Sequence, residues 1–432
     1  MYAELSIQQR LSFGRRWSEG KSGDPSPAEG ATGTQTGKAA TCESPDTKQA
    51  TREMQSRLHV IQLNRNFNPG TGVANVALAL EGYLQDQGVQ VSRFDMTSAR
   101  YPLAQRERSN PITRRLFTVA EAMWYGAAAS RHVRRIRKSS QTISISHADA
   151  TRGDIYVNHG LLKGALAKKP LLPRIASTVM YAPLLLREEY RFRKQPHSLV
   201  ICLTQADAEL LQSLYPTNRM PITVIPNGVD LEHFRPPSSA ERVAAREYFG
   251  LRPENDYILF VGHEVQRKGL PILLEAIKLL PHSHGALVVG GEPAEVLQAI
   301  ESVGPDLLAD GSVLLAGRQP DARAAYWAAD AFCLPSAYET GPLVLLEALA
   351  CGLPCLMTDV GIARSVIVDG INGRIVPRDA QALADAVLGV IGMRRQRMQT
   401  APPSASTDLS RYSWKRAGHA YLRVIRETAS KG

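Results

Sequence analysis

The sequence predicts an α/β protein with two doubly wound parallel-sheet domains that face a central cleft. Three observations support this fold class. Short apolar segments alternate with segments of helical spacing from Leu58 onward. The alternation occurs twice, on either side of the turn-rich segment IPNGVDLEHFRPPSS. The length of 432 residues, at about 100 to 200 residues per domain, leaves room for two such units.

The N-terminal segment, residues 1–56, is predicted to be a disordered low-complexity tail. It is rich in Gly, Ser, Thr, Pro and Ala and has no periodic apolar pattern. Such a composition buries too little surface to offset the entropy cost of ordering. Met54 lies just before the first strand, so a start-site artefact is an alternative origin of this tail.

The first unit, residues 57–235, begins with the strand LHVIQL, the helix Gly72–Gln87 and the strand VQVSRFDM. A long helix is predicted over Ile112–Lys138, and the strand in GDIYVNHG follows. The predicted core face of the long helix consists of Ile112, Leu116, Val119, Met123 and Ala127. Continuous apolar strands of this kind are typical of a parallel sheet covered on both faces, so this unit is Rossmann-like.

The second unit, residues 250–410, repeats the pattern more cleanly. Its predicted strands are YILFVG, ALVVGG, SVLLAG, AFCLPS, LPCLMTD and GRIVP, and its predicted helices cover 271–280, 294–303, 321–329, 343–350 and 380–391. It is therefore a second Rossmann-like domain. Residues 411–430 follow as an amphipathic helix, which either caps the second sheet or crosses back to the first unit.

Composition excludes several classes of protein. With 44% hydrophobic residues and 33 glycines, the chain is neither wholly disordered nor collagen-like. No apolar run approaches the roughly 18 residues of a membrane span, and the N-terminus has no apolar signal segment, which indicates a cytoplasmic protein. Cys351 and Cys355 lie in an apolar segment without a second Cys/His cluster, so we expect buried thiols and no metal site.

The most specific motif is SAYETGPLVLLEALACGLP. Glu339 follows a strand, and Glu347 lies eight residues later on the next helix. Gly341, Pro342 and Leu343 form the N-terminus of that helix, where free backbone N–H groups favour a phosphate. Carboxylates on either side can accept hydrogen bonds from hydroxyl groups. A phosphate flanked by polyols is the outline of a nucleotide sugar.

Together with the upstream IPNGVD, this motif resembles the retaining GT-B glycosyltransferases of family 4, the glycosyl transferases group 1. Members carry a Glu, seven residues and a second Glu before an apolar helix ending in Ala-Cys-Gly-x-Pro, and DGINGRIVP also looks like the family. The resemblance spans residues 58–427. It implies a GT-B fold with an acceptor-side N-terminal domain and a donor-nucleotide-binding C-terminal domain. It also implies that Glu339 contacts the sugar hydroxyls and that Glu347 contacts the ribose.

A second motif, FVGHEVQRKGLPILLEAI, places Arg267 and Lys268 near the strand that ends at Gly262. A planar guanidinium and a point charge side by side suit a diphosphate. The family holds the donor diphosphate with an Arg and a Lys in this loop, and these two residues match by resemblance. Many members also have an Arg directly after the Gly, where this chain has His263. A solvated basic turn is the alternative.

The loop in NFNPGTGVANVALAL carries Gly70 and Gly72, which permit close approach of the backbone to a phosphate or an acceptor sugar. A rival interpretation is a dinucleotide fingerprint with Asp95 as the ribose ligand, which predicts an NAD-binding enzyme. Asn75 replaces the third glycine of that fingerprint, and the second unit carries no such pattern.

His159 follows the strand in GDIYVNHG. The family often carries a His at this place, facing the reacting carbon of the donor sugar. The resemblance therefore implies a catalytic role for His159 alongside Glu339, Arg267 and Lys268. Without the resemblance, a single His after a strand is more often structural. His147 and the pair His282 and His284 are expected to be surface or structural residues.

The net charge of +10 comes from residues 58–235, which hold 23 basic and 13 acidic side chains. On the long helix, Phe117, Trp124, Arg131 and Arg135 share a stripe that suits an anionic membrane surface. A second basic cluster consists of Lys163, Lys168, Lys169, Arg174, Arg187, Arg191, Arg193 and Lys194. A solvated face and nucleic-acid binding are the alternatives, and no nucleic-acid motif favours the second.

Together with these observations, the resemblance implies a retaining, metal-independent glycosyltransferase of hexosyltransferase type that needs no cofactor. It would move a sugar from a nucleotide-diphosphate sugar to a sugar, lipid-linked or polysaccharide acceptor in cell-envelope synthesis. We expect it in the cytoplasm, with the inner face of the plasma membrane as an alternative place of action. A non-catalytic scaffold with the same fold and an NAD-binding enzyme are the other functional classes. The intact set of Glu339, Glu347, Arg267 and Lys268 argues against the scaffold.

Overall fold

The computed structural model describes residues 58–102, 111–136, 142–168, 171–400 and 408–431, with the backbone alone for 111–115 and 396–400. The predicted tail, residues 1–56, and Lys169 lie outside the described residues. The described chain belongs to one compact unit that contains two six-stranded parallel sheets. We call the part around the first sheet, residues 58–235, the first lobe, and the part around the second sheet, residues 236–400, the second lobe.

The first sheet consists of β1 (His59–Leu63), β2 (Gln90–Phe94), β3 (Thr142–Ser146), β4 (Ile155–Asn158), β5 (Leu199–Cys202) and β6 (Ile222–Val224). Its helices are α1 (Gly72–Asp86), α2 (Pro111–Ile136), α3 (Leu162–Ala167), α4 (Leu171–Met180), α5 (Ala182–Lys194) and α6 (Gln205–Leu214). The strand order is β2-β1-β3-β4-β5-β6. The winding direction therefore reverses between β1 and β3, where open α/β sheets bind ligands.

The second sheet consists of β7 (Asp256–Val261), β8 (His284–Val289), β9 (Val313–Gly317), β10 (Ala331–Leu334), β11 (Cys355–Met357) and β12 (Gly373–Ile375). Its helices are α7 (Ser239–Phe249), α8 (Val265–Lys268), α9 (Leu270–Leu279), α10 (Pro293–Val303), α11 (Asp306–Ala309), α12 (Arg323–Ala328), α13 (Leu343–Ala350), α14 (Ala363–Val366) and α15 (Ala380–Thr400). The order is β12-β11-β10-β7-β8-β9. The reversal point of this sheet lies between β7 and β10.

After a 3₁₀ turn (Leu409–Tyr412), the last helix, α16 (Trp414–Ala429), packs against the first lobe. Ser413 caps it by accepting a hydrogen bond from the backbone N–H of Arg416. Its buried residues Tyr421, Leu422 and Ile425 share a core with residues of β1 and α1. The first strand and the last helix of the described residues therefore share one hydrophobic core, although the second lobe lies between them in the sequence.

Gly418 lets α16 lie directly on α1. A Cβ built at this position would meet the Tyr83 ring at 2.3 Å. We expect Gly418→Ala to lower the free energy of unfolding by about 1 to 3 kcal/mol, the usual cost of overpacking. Gly82→Ala on α1 is the matched control, because nothing lies within 4 Å of its Cβ, and it should gain about 0.5 to 1 kcal/mol from helix propensity. Urea denaturation of both variants measures the difference, and equal stabilities would contradict this packing.

The predicted core face of α2 is wrong for Leu116, Met123 and Ala127, whereas Val119 is buried as predicted. The side chain of Ile112 lies outside the described residues. Leu116 is 54% exposed and Met123 is also exposed, whereas Tyr125 and other residues of the neighbouring face are buried. Gly126 explains the rotation, because a Cβ there would lie 2.6 Å from the carbonyl oxygen of Asp149. The helix packs against the segment after β3 through this glycine, and Leu116 and Met123 face outward.

None of the helices in the described part of the chain combines the length and apolar character needed to cross a membrane.

Candidate functional site

The loops that follow β7 and β10 meet at the reversal point of the second sheet. Gly269 has φ +84°, and a Cβ there would lie 2.2 Å from the carbonyl oxygen of Pro335, so the two loops touch where only glycine fits. Gly262, directly after β7, makes room for the side chain of Lys268, whose Cδ would lie 2.3 Å from an added Cβ. These two glycines place Arg267 and Lys268 beside the loop that carries Glu339.

Both cations converge on one carboxylate oxygen. Oε1 of Glu339 lies 3.1 Å from Nη1 of Arg267 and 3.0 Å from Nζ of Lys268. It also accepts a hydrogen bond from Oγ of Ser336 at 3.0 Å. Oε2 of Glu339 has no hydrogen-bond partner among the described residues. The carboxylate is thus fixed through one oxygen, and the other remains available to accept from a hydroxyl group.

Arg267 is held more firmly than Lys268. Its guanidinium donates to the carbonyl of Tyr338 and pairs with Glu264 at 2.7 Å. Burial opposes its charge, but the attraction of Glu339 and Glu264 outweighs burial and raises the pKa of Arg267. Lys268 contacts Glu339 through its ammonium group and is the simpler of the two cations to test.

Helix α13 begins directly after this loop. Pro342 is its N-cap residue, and no side chain of the described residues caps it. The binding of an anion at this helix start, at Gly341, Pro342 and Leu343, stays a prediction. Asn227, near the end of the first lobe, donates from Nδ2 to the carbonyl oxygen of Gly341 at 2.6 Å. This amide fixes the backbone at the start of α13.

Glu347 lies on α13, where its Oε2 accepts a hydrogen bond from the Tyr326 hydroxyl at 2.7 Å. Burial raises the pKa of Glu347 to about 7, although the hydrogen bond from Tyr326 and the charge of Lys268 oppose the shift. A carboxyl group with such a pKa exists in both protonation states near neutral pH. Perturbed carboxyl groups of this kind are more frequent at functional sites than elsewhere.

In the first lobe, His159 directly follows β4, and its ring contacts His147, which directly follows β3. Its Nε2 lies 3.2 Å from Nδ1 of His147, and Nε2 of His147 lies 2.7 Å from Oε1 of Gln62. Burial lowers the pKa of His159 to about 4. His147 is buried, so it is not a surface residue as the sequence analysis allowed, and it contacts the candidate catalytic residue.

The two lobes meet at the loop that carries Glu339. Oγ1 of Thr340 donates to the carbonyl oxygen of His159 at 3.2 Å, and the backbone N–H of Leu161 donates to the Tyr338 hydroxyl at 3.3 Å. Gly160, which lies between His159 and Leu161 in the sequence, has φ +143° and lies against Tyr338 and Thr340. These contacts bring His159 and Glu339 to the same cleft.

The glycine loop of the first lobe contacts the second lobe. His263 Nε2 donates to the carbonyl oxygen of Gly70 at 2.6 Å, and Arg318 Nη2 donates to that of Pro69 at 2.5 Å. The N–H of Gly70 donates to Asn75, so it is engaged inside the loop. Nothing lies within 4 Å of a Cβ at Gly72. The assignment of Gly70 and Gly72 to an acceptor or phosphate therefore stays a prediction, and the loop contacts assign a position-holding role to His263.

The predicted membrane stripe lies on α2, with Arg131 and Arg135 exposed and Phe117 half-buried. Trp124 is exposed over part of its ring, and its Nε1 donates to the carbonyl oxygen of Ala99 at 3.0 Å. In the second basic cluster, Arg187 and Arg191 are internal. They bind backbone carbonyls, and Arg187 also pairs with Asp149. This cluster therefore presents fewer surface cations than the sequence predicts.

Sequence reasoning missed Gln62, Ser336, Asn227 and Tyr326 as members of the site. Each supports a predicted residue. Ser336 stands in the motif SAYETGPLVLLEALACGLP and Asn227 in IPNGVD, whereas Gln62 and Tyr326 stand in neither motif. Tyr326 lies in a mainly apolar helix where no pattern distinguishes it from core residues, and Gln62 lies in a strand that is mainly apolar. A polar residue inside a buried strand was the signal that could have identified Gln62, because buried polar groups need partners.

Two family descriptions match the chain. Glycosyltransferase Family 4 matches residues 70–233, and Glycosyl transferases group 1 matches residues 255–392. The first match includes His159, and the second includes the cations and both glutamates of the site. A curated relative, the D-inositol 3-phosphate glycosyltransferase of Xylanimonas cellulosilytica, is 33% identical over 243 residues, which cover 54% of this chain and 57% of the relative. The chain spans about half the length of the curated relatives it matches.

Solved structures with the same architecture include WaaG, a glycosyltransferase involved in lipopolysaccharide biosynthesis, with a TM-score of 0.62 and 19% identity over 87% of this chain and 98% of WaaG. Another is HepE of Anabaena in complex with UDP-glucose, with a TM-score of 0.60 and 17% identity over 86% of this chain and 100% of HepE. At these identities the likeness concerns the fold alone. It confirms the two doubly wound parallel sheets that the sequence predicts.

Proposed function

The chain belongs to the glycosyl transferases group 1 of family 4 and has the GT-B fold, and on this premise we propose that it transfers a sugar from a nucleotide-diphosphate sugar to an acceptor hydroxyl. The second lobe holds the donor and the first lobe holds the acceptor. The reaction proceeds with retention of configuration and requires neither a metal ion nor a cofactor. Its products serve cell-envelope glycolipid or polysaccharide synthesis.

The observation that carries this proposal is the convergence of Arg267 and Lys268 at the reversal point of the second sheet, beside the start of α13. A leaving nucleoside diphosphate gains negative charge as its bond to the sugar breaks. Two fixed cations and the N–H groups of a helix N-terminus stabilise that charge without rearrangement. This is the role that a metal ion fills in other phosphate-handling sites.

The two glutamates have separate tasks in this proposal. Oε2 of Glu339, which has no partner among the described residues, accepts a hydrogen bond from a hydroxyl of the donor sugar. Glu347 accepts from the ribose. His159 lies across the cleft, where Thr340 ties its backbone to the donor-side loop, and it contacts the sugar near its reacting carbon.

Donor hydrolysis and transfer assays test the proposal. The full chain is incubated with UDP-, GDP- and ADP-sugars and with an acceptor panel that includes D-inositol 3-phosphate, for which the curated relative is named. Release of the nucleoside diphosphate should depend on one base, and EDTA should leave the rate unchanged. The matching nucleoside diphosphate alone should also raise the melting temperature of the chain. The proposal would be overturned if the chain neither bound nor turned over a donor of any of the three classes.

We further propose that the first lobe meets the anionic inner surface of the plasma membrane. Arg131 and Arg135 are exposed on α2, and basic residues near an anionic surface attract it. Helix α4 supports the same surface property, since it buries none of its residues and exposes Leu172 to 78% together with Leu171, Ile175 and Val179. Apolar side chains next to cations are typical of interfacial helices.

Vesicle sedimentation tests this contact. The double variant Arg131→Glu and Arg135→Glu should reduce binding to anionic vesicles at least tenfold, at about 1 kcal/mol for each basic residue near the surface, and should leave donor binding intact. Leu172→Gln should weaken the part of binding that resists salt. Leu279→Gln in the second lobe, where the leucine is 53% exposed, is the control and should change nothing. Equal binding to neutral and anionic vesicles, or none, would contradict the proposal.

A further inference from the structure

Two polar side chains lie buried beneath His159 and take no part in the chemistry above. Gln62 on β1 is 0% exposed, and His147 after β3 is 1% exposed. The two strands are neighbours at the reversal point of the first sheet, so these side chains lie under the position where a ligand binds in such folds. Buried polar groups are costly unless each hydrogen bond is made, which suggests that they serve His159.

The directions of their hydrogen bonds follow from the chemistry of the partners. The carbonyl oxygen of Ala77 can only accept, so the atom of Gln62 that lies 2.9 Å from it is the amide nitrogen. The other terminal atom of Gln62 is then the amide oxygen, which lies 2.7 Å from Nε2 of His147. An amide oxygen only accepts, so Nε2 of His147 carries a proton.

The same reasoning extends to His159. Burial, with a smaller contribution from His159, lowers the pKa of His147 well below its ordinary value, so His147 is neutral. Its proton is on Nε2, and Nδ1 therefore has a lone pair that can only accept. Nε2 of His159, at 3.2 Å, must be the donor of that bond. His159 is also neutral, since burial lowers its pKa to about 4, and Nδ1 of His159 is left without a proton.

We propose that Gln62 and His147 are positioning residues that hold His159 in one tautomer, with its proton on Nε2 and the lone pair of Nδ1 free to accept a hydrogen bond from a ligand hydroxyl. Nδ1 has no hydrogen-bond partner among the described residues. The tautomer itself follows from the three side chains alone. That the hydroxyl belongs to a sugar rests on the proposed function.

This arrangement limits what His159 can do. An unprotonated Nδ1 accepts from a hydroxyl group and cannot donate to the diphosphate, so the leaving group depends on the second lobe. The other tautomer would place a donor where the acceptor is needed, and a flipped ring would place the carbon Cδ2 there. Loss of a partner that orients an active-site histidine typically costs about 10- to 100-fold in activity, as for the outer-shell partners of metal-ligating histidines.

Nuclear magnetic resonance of the full chain with ¹⁵N-labelled histidine reads the tautomer directly. The two ring nitrogens of a neutral histidine give well-separated signals according to which one is protonated. His159→Gln identifies the His159 signals by their disappearance. In the wild-type protein, His159 should show a single tautomer protonated at Nε2, and mixed or Nδ1-protonated signals would overturn the proposal.

A matched pair of variants tests the role of His147. In His147→Asn, Oδ1 takes the place of Nδ1 and still accepts from His159, so the His159 signals should stay near their wild-type positions. His147→Leu removes the acceptor, and the signals should move towards a mixture of tautomers. Gln62→Met, which removes the acceptor of His147, should shift the signals of both histidines. Melting temperatures verify that each variant is folded.

Turnover provides a second measurement. His147→Leu should lower kcat about 10- to 100-fold with little change in the donor KM, and His147→Asn should recover most of the loss. Unchanged His159 signals in both folded His147→Leu and folded Gln62→Met would overturn the positioning role. Failure of the proposed function would appear as a lack of turnover in the wild-type protein, and the tautomer would still be read from the free chain.

Discussion

Replacing Lys268 by alanine is expected to lower kcat/KM for the donor by about 100- to 1000-fold. The ammonium group lies 3.0 Å from Glu339 at the reversal point of the second sheet, where the proposed diphosphate leaves. Loss of one preorganised electrostatic contact to a developing anion typically costs about 100- to 1000-fold in rate. Arg267→Ala should also lower turnover, although its contacts to Glu264 and Tyr338 make part of its effect structural. Steady-state kinetics with the matching nucleotide sugar measure both variants.

Lys278→Ala is the control for a general loss of positive charge. Lys278 lies on α9 in the same lobe and donates to the carbonyl oxygen of Val303, away from the site. It should retain wild-type turnover. Full activity in both Lys268→Ala and Arg267→Ala would contradict the assignment of these two residues to the diphosphate.

The fold could be predicted from the sequence because its main signal is local. Buried parallel strands are short apolar runs, and the segments AFCLPS and LPCLMTD needed no knowledge of their neighbours to be recognised. Strand order could not be predicted in this way, because it depends on which strands pair across the chain. The reversal points, and with them the location of the site, became visible only in the assembled sheets.

The orientation of α2 could not be predicted from periodicity. Its apolar residues outnumber the positions on one face, so two faces compete, and the choice depends on close contacts with distant chain. Gly126 fits against Asp149, and this contact turns Leu116 outward. A glycine in a helix was the available signal, and its meaning depends on a partner that the sequence alone does not name.

In the candidate site, too, some residues have a local sequence signal and others depend on tertiary contacts. The charged residues Arg267, Lys268 and Glu339 stood in motifs, and the structure brings them together. Ser336, which supports Glu339, lies in the same motif. Two other supporting residues are uncharged and distant in sequence from their partners: Gln62 is 85 residues from His147, and Asn227 is 114 residues from Gly341. Such pairs depend on tertiary structure, which single-sequence patterns do not encode.

A second large effect is expected for Glu347→Gln, in opposite directions for stability and donor binding. Burial raises the pKa of Glu347 from 4.5 to about 7. Between these two pH values the folded protein holds a proton that the unfolded chain releases, so stability falls as pH rises from about 4.5 to about 7. The full penalty above pH 7 amounts to about 3 kcal/mol. Glutamine is neutral throughout and can still accept from Tyr326, so the variant should be more stable than wild type at pH 8 and nearly equal to it at pH 5.

Donor binding should respond in the opposite sense. A carboxylate accepts stronger hydrogen bonds from the ribose hydroxyls than an amide does, and the difference of roughly 1 kcal/mol or more corresponds to about tenfold weaker binding. Wild-type affinity should therefore rise as pH increases through about 7, and this rise should be absent in the variant. Calorimetry at pH 6 and pH 8 measures both effects.

Glu301→Gln on α10 serves as the control, because Glu301 is exposed on the same lobe and should change neither stability nor affinity. If Glu347→Gln instead lost stability and bound the donor as tightly as wild type, Glu347 would be a structural partner of Tyr326 and α13, and the ribose would have to be bound elsewhere. If the variant gained stability at pH 8 and lost affinity, the buried carboxylate would be retained at a cost to folding because it binds the donor. That combination is the behaviour expected of a ligand-binding residue rather than a helix cap.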